Sequence, residues 1–268
     1  MNSGTLKIER RPPSGAQAAH QVGKGREVAL LTLSNPGKRN ALDPGMLAAL
    51  VAAFAELAEA PSDVGAVVLT SSGPLFSAGY DVSALPDEPD EDWLRSHGVL
   101  AATMKLLSEG PLPTVAALPG AAIGAGCELA LSCDLRVAHP GATLCMPPVR
   151  LGLIYTPEGV ARLMALCGAA RARRLLLLGE SLPAESAAAW GLIDQVVPEA
   201  EVVERAIALA STLGAMPRAA VQGTRIVLER LMREGPQLSE ESAQEILQLR
   251  RAAWRSAEAQ SVRQRFRK

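Results

Sequence analysis

Aromatic residues are scarce in this chain: three Trp, two Tyr and three Phe in 268 residues, 3% in all. A surface that stacks nucleic-acid bases needs more rings than that. Charge of one sign is missing too. The 27 Lys and Arg stand against 28 Asp and Glu, a formal net charge of −1, so no field gathers nucleic acid or an anionic membrane. No apolar run of about 18 residues escapes a charge or a Gly/Pro break, which excludes a membrane-spanning helix from the sequence pattern. The opening MNSGTLKIERRPPSG holds no apolar stretch of signal-peptide length, and a cytoplasmic location is expected. The four cysteines, Cys127, Cys133, Cys145 and Cys167, show no CxxC spacing, and the three histidines, His20, His97 and His139, are scattered. That pattern suits neither a zinc site nor a disulfide framework; buried free thiols and no metal are expected.

What remains is an apolar chain, 48% by composition, long enough for one large domain or one domain with an appendage. TLKIER (5–10) and EVALLTL (27–33) have strand character, and the polar, Pro- and Gly-bearing stretch 11–26 between them suits a long, mobile hairpin loop. Met46, Leu47, Leu50, Val51, Phe54 and Leu57 recur at helical spacing. VGAVVLT (64–70) and PTVAALPG (113–120) suit strands buried on both faces, with a helix expected over 92–108 between them. DLRVAHP (134–140) and ATLCM (142–146) complete the strand-rich half. TPEGVARLMALCG then starts with a Thr cap, a Pro at the first helical position and an early Glu. SLPAESAAAWGLIDQVVP holds a helix and one short extended piece, and helical periodicity dominates from about residue 199. The expected organisation is a core over 1–198 and a helical region over 199–268 whose many arginines form solvated faces and subunit contacts. The length also suits an eightfold β/α barrel, but the last third lacks the strands for one.

Three glycine-bearing turns follow apolar runs: Ser34–Leu42 (SNPGKRNAL), Gly73–Val82 (GPLFSAGYDV) and Gly120–Ala130 (GAAIGAGCELA). Asn, Pro and Gly in the first are what any turn uses. In the third, Gly124 and Gly126 begin a dinucleotide fingerprint that Leu129 breaks. A strand–turn–helix made of small residues still presents backbone N–H groups at a helix N-terminus, suited to developing negative charge on an oxygen. Glu128 follows Ala125 by three positions, on the same helical face. By itself it fits a helix-terminal charge as well as a proton carrier.

Taken together, NPGKRNAL, FSAGYD and AIGAGCELALSCD resemble, in order and spacing, the motifs N-P-x-x-x-N-A-L, F-x-A-G-x-D and A-x-G-x-G-x-E-L-A-x-x-C-D of the crotonase superfamily, the enoyl-CoA hydratase/isomerase fold. The likeness runs from about Leu6 to Phe266. It implies an α/β fold of repeated β-β-α units with a helical C-terminal region, assembly as a homotrimer or hexamer, and an acyl-CoA substrate. Coenzyme A would enter as part of that substrate, with no separate cofactor. By position, the resemblance assigns an oxyanion hole to the backbone N–H groups of Tyr80 and Ala125. It assigns coenzyme A contacts to Lys38, Arg39, Ala41, Ala78, Asp81 and Val82.

One position departs from the family pattern. Hydratases of the family carry a second glutamate about twenty residues after the first, and aligning PPVRLGL there puts Pro148 in its place. Glu158 is the nearest other acid, where a helix-start role explains it. The stretch Met146–Tyr155 resembles the methylmalonyl-CoA decarboxylase branch, which keeps a single glutamate and a Tyr here. That likeness makes Glu128 and Tyr155 the catalytic candidates, although a Tyr there equally suits a packed ring whose hydroxyl finds a backbone partner. Decarboxylation of a short malonyl-type CoA is the leading expectation, because it needs an enolate-stabilising site and no second carboxylate. Hydration or isomerisation by Glu128 alone follows, and a catalytically silent acyl-CoA-binding protein is the reading from another class.

Overall fold

The computed structural model describes residues 4–14, 25–59, 63–91, 93 and 98–265. Strands β1 (Thr5–Arg11) and β2 (Glu27–Ser34) pair antiparallel, as a hairpin should, though 15–24 of the connection lie outside the described residues. Helix α1 (Pro44–Glu59) follows and buries Met46, Leu47, Leu50, Phe54 and Leu57 of the expected stripe, with Ala53 in place of Val51.

Three units then repeat strand, short strand, helix. They are β3 (Val64–Ser71), β4 (Leu75–Ser77) and α2 (Val99–Glu109); β5 (Thr114–Leu118), β6 (Ala121–Ile123) and α3 (Ala125–Ser132); and β7 (Leu135–Ala138), β8 (Thr143–Cys145) and α4 (Pro157–Leu178). The longer strands form one sheet and the shorter ones a second. Two short strands and a helix close the core: β9 (Ser181–Pro183), α5 (Ala184–Ala189) and β10 (Gln195–Val196). The sheet orders are β1-β2-β3-β5-β7-β10 and β4-β6-β8-β9, parallel except at β1/β2 and β8/β9. This is the expected α/β arrangement of β-β-α units. The stretch 181–198 holds two extended pieces rather than one, and of the helix expected over 92–108, Val99–Glu109 is helical while 92 and 94–97 lie outside the described residues.

Alternation along the buried strands divides the interior in two. Val67 and Leu69 of β3 join the larger core with α1 and α3, whereas Ala66 and Val68 face the other way. What covers that second face is α6 (Val202–Gly214), through Val202, Ala206, Ile207 and Ala210. A boundary at 198/199 therefore separates a helix from the sheet it buries. The helices beyond α6 are α7 (Arg218–Glu234), α8 (Glu240–Arg255) and α9 (Ala257–Arg265).

The arginines of the tail are not all solvated, contrary to expectation. Arg225 of α7 is buried, donating to Asp134 Oδ1 at 2.7 Å, just before β7, and to the Leu107 and Gly110 carbonyls at the end of α2. Cys127, Cys133 and Cys167 are buried free thiols. No helix among the described residues is long and apolar enough to cross a membrane.

Candidate active site

The three motif turns are fastened to one another. Arg39 and Asn40 adopt left-handed backbone, with φ of 53° and 55°, and this aims the Asn40 side chain inward. Its amide donates to the carbonyls of Ser72 at 2.7 Å and Leu75 at 2.9 Å, and its Oδ1 accepts the Asn35 N–H at 2.8 Å. Ser77 Oγ donates to the Asn40 carbonyl at 2.7 Å and accepts the Gly79 N–H at 3.1 Å. Backbone bonds from Leu42 to Gly79 and from Asp81 to Leu42 finish the seam.

The third turn meets the second through glycine. A side-chain carbon on Gly79, whose φ is 101°, would lie 2.8 Å from the Ile123 carbonyl oxygen and 3.5 Å from the Ala125 nitrogen. One on Gly126 would lie 2.6 Å from Ser77 Cβ. This close approach sets the turn that carries Tyr80 against the start of α3, which Ala125 opens. Neither the Tyr80 nor the Ala125 N–H has a hydrogen-bond partner among the described residues.

Both residues line a cleft of about 950 Å³, part of it open to solvent. Ala78, Gly79 and Val82 form one side, and Ile123, Gly124, Ala125 and Glu128 the floor. Leu100, Ala101 and Met104 of α2 face Pro147, Pro148 and the segment Leu153–Thr156 across it. Glu128 is only 8% exposed. Burial pushes its carboxyl up to about 7, against the pull of the Arg162 charge and with a smaller push from Glu158. The Tyr155 hydroxyl is buried, has no partner among the described residues, and would lie 3.9 Å from a side-chain carbon on Gly124. Burial raises its pKa as well, with the nearby Cys127 and Glu128 adding to it, so it is a neutral donor.

Of the residues singled out from sequence, Ala78, Tyr80, Val82, Ala125, Glu128 and Tyr155 meet on this cleft. Lys38, Arg39, Ala41 and Asp81 do not line it. Lys38 donates to Asp81 Oδ2 at 2.6 Å and Ser83 Oγ at 3.0 Å, and that bond holds the Asp81 carboxyl below the usual range. Ala41 is buried, while Arg39 is exposed and its carbonyl accepts the Ala78 N–H at 3.1 Å. Pro148 is on the cleft wall at the start of a short turn, Pro148–Leu151, leaving Glu128 as the only carboxyl among the described lining residues. Glu158 is exposed in the first turn of α4, outside the lining, where Thr156 Oγ1 caps the Gly159 N–H at 3.2 Å.

The sequence reading missed the apolar wall from α2 and the Gly159 and Arg162 positions behind Glu128. Helical spacing shows that α2 has an apolar face but not that part of it meets a cleft. Chemically, the site offers, among the described residues, two N–H donors without a partner (one of them at a helix start), one carboxyl whose pKa burial pushes up to about 7, and one unpartnered hydroxyl in apolar surroundings.

The sequence matches the profile of the Enoyl-CoA hydratase/isomerase family over residues 23–266. A probable enoyl-CoA hydratase, echA8, of Mycobacterium tuberculosis is 32% identical over 209 residues, covering 78% of this chain and 80% of that protein. The human enoyl-CoA hydratase domain-containing protein 3 is 33% identical over 220 residues, 82% of this chain and 70% of its own, and is mitochondrial by name, unlike the cytoplasmic location expected here. The crystal structure of an enoyl-CoA hydratase from Mycobacterium smegmatis superposes with a TM-score of 0.76 at 29% identity, covering 95% of this chain and 92% of that one. The chain belongs to the enoyl-CoA hydratase/isomerase family of the crotonase superfamily.

Proposed function

We propose that this protein forms an enolate from an acyl-CoA thioester, and that its reaction is loss of CO₂ from a short malonyl-type CoA. The observation that carries this reading is the Tyr155 hydroxyl, a buried polar group on the cleft wall with no partner among the described residues. Buried hydroxyls normally have partners, and a substrate carboxylate oxygen would supply one. Lys and Arg are absent from the described lining residues, so that carboxylate would sit in apolar surroundings that favour its departure as neutral CO₂. As the C–C bond breaks, its electron pair passes to the thioester oxygen, where the Tyr80 and Ala125 N–H groups receive the charge. The Glu128 carboxylic acid returns a proton to the α-carbon, and solvent reprotonates it.

Glu128 titrating near neutrality equally suits a lone general base that moves a proton between α and γ carbons, so isomerisation is the second reading. Mass spectrometry after incubation with methylmalonyl-CoA and with crotonyl-CoA separates them. We expect CO₂ loss from the first, and Tyr155→Phe should raise KM or lower kcat for it. Tyr155→Phe leaving that turnover untouched would refute the decarboxylase assignment. Turnover of neither ester despite tight binding would make the protein a silent binder.

The phosphates of coenzyme A fall, on this reading, near Lys38 and Arg39. Replacing both with Ala should weaken binding of a CoA ester and flatten its salt dependence. Calorimetry at two ionic strengths checks this, and equal affinity at both would take these side chains out of the site. Assembly as a trimer or hexamer belongs to the same proposal. Exposed apolar side chains on the C-terminal helices, Leu228 and Trp254 among them, support it.

A further inference from the structure

The Glu128 carboxyl is approached from behind by α4. A side-chain carbon on Gly159, in the first turn of that helix, would lie 2.6 Å from Glu128 Oε1, so only glycine leaves room for the carboxyl there. Arg162 follows by three positions, on the same helical face, and is 5% exposed. Its Nη2 donates to Ser108 Oγ of α2 at 3.3 Å and to Glu229 Oε2 of α7 at 3.4 Å. Both bonds are long, so neither partner holds the guanidinium tightly. A cation this deeply buried needs counter-charges: Glu229 pairs with it directly, and the Glu128 carboxyl, seated against Gly159 one turn earlier on the same helix, feels its field.

We infer that Arg162 and Glu229 are positioning residues for Glu128, with one guanidinium shared between the cleft carboxyl and the C-terminal helix α7. The inference rests on Glu128 being the proton carrier of the cleft and adds what governs it. Among the described residues, Arg162 is the one cation whose charge acts on Glu128. Glu158, from the same helix as Arg162, is an acid that opposes it. Tyr155 and Cys127 are held neutral by burial. Whatever draws the guanidinium toward α7 therefore weakens its hold on Glu128. The helical region outside the β-β-α core thereby acts on the cleft through a single side chain.

The test follows the protonation of Glu128 directly, by the infrared band of its carboxylic acid in the full chain across pH, subtracting the Glu128→Gln variant. Arg162→Gln should move the midpoint upward, by roughly one pH unit or more. Glu229→Gln should move it downward by less, because the guanidinium is then released to Glu128. With Arg162→Gln already present, Glu229→Gln should move nothing. A Glu229→Gln shift that persists without Arg162 would overturn the sharing, since Glu229 would then act by its own charge. Should Arg162→Gln fail to fold, Arg162→Lys serves instead. A point charge cannot span both carboxyls, so the midpoint should rise, and an unchanged midpoint would overturn the inference. None of these readouts needs turnover. Midpoint shifts as expected, with a flat pH profile of turnover, would support the coupling while removing Glu128 from the reaction.

Discussion

Gly79→Ala should cost turnover about 10²–10³-fold, the loss that follows removal of one oxyanion donor. The new methyl would meet the Ile123 carbonyl oxygen at 2.8 Å, and that carbonyl belongs to a strand paired with β8, so it has little freedom to move. The turn carrying Tyr80 must retreat instead, which parts its N–H from that of Ala125. Strain adds to the clash, because a φ of 101° suits no L-residue. Gly73→Ala is the control. Gly73 has a φ of 77°, but nothing lies within 4 Å of where its methyl would be. It should lose stability, roughly 1–3 kcal/mol, without losing turnover. Thermal melts and kinetics on both variants check the pair. Equal turnover in Gly79→Ala and the wild type would show that the reacting oxygen does not sit between these donors.

Glu128→Gln should make the protein more stable above neutral pH while impairing its chemistry. A carboxyl pushed up to about 7 from its ordinary 4.5 resists charging in the folded state. Its contribution to stability is therefore complete below about 4.5 and disappears as pH rises through about 7. Above that, the wild type carries a penalty on the order of 3 kcal/mol that glutamine does not. Denaturant titrations should show the two proteins equal near pH 4 and the variant ahead near pH 8. A constant difference across that range would mean Glu128 titrates normally. On an enoyl-CoA, where Glu128 must carry the proton, the same variant should lose about 10²–10⁴-fold. On a malonyl-type ester it should lose less, since water can protonate the enolate once CO₂ has left.

Much of this arrangement is legible in the sequence because it is local. Buried strands such as Val64–Ser71 carry their own pattern, the glycines at 79 and 124 mark turns with positive φ, and Gly126 marks a close approach to Ser77. The Asn40 side chain was less legible: its type suits any turn, and only the fold shows it bonded to the carbonyls of Ser72 and Leu75. Arg162 and Arg225 were not legible at all. At helical spacing among other charges they resemble solvated residues, and their burial depends on which helix packs against which. The same limit hid the membership of Val202–Gly214 in the core, since its apolar stripe fits a sheet face as well as a neighbouring helix.

The cleft has two walls of different origin. One is the set of turns that holds the donors, the first two fastened by backbone, Asn and Ser bonds and the third by strand pairing and glycine packing. The other is Leu100, Ala101 and Met104 of α2 together with Leu153 and Ile154, apolar side chains throughout. Ile154 is 87% exposed, Leu153 is exposed and Leu100 and Ala101 are half-buried, so side chains there can change size with small consequences for the fastened turns, whereas Met104 is buried in the core. Substrate range and reactivity are thus separable traits in this scaffold. An acyl group can be admitted or refused at one wall without retuning the other, which makes Leu100, Ala101, Leu153 and Ile154 the place to begin when redirecting the protein toward a different thioester.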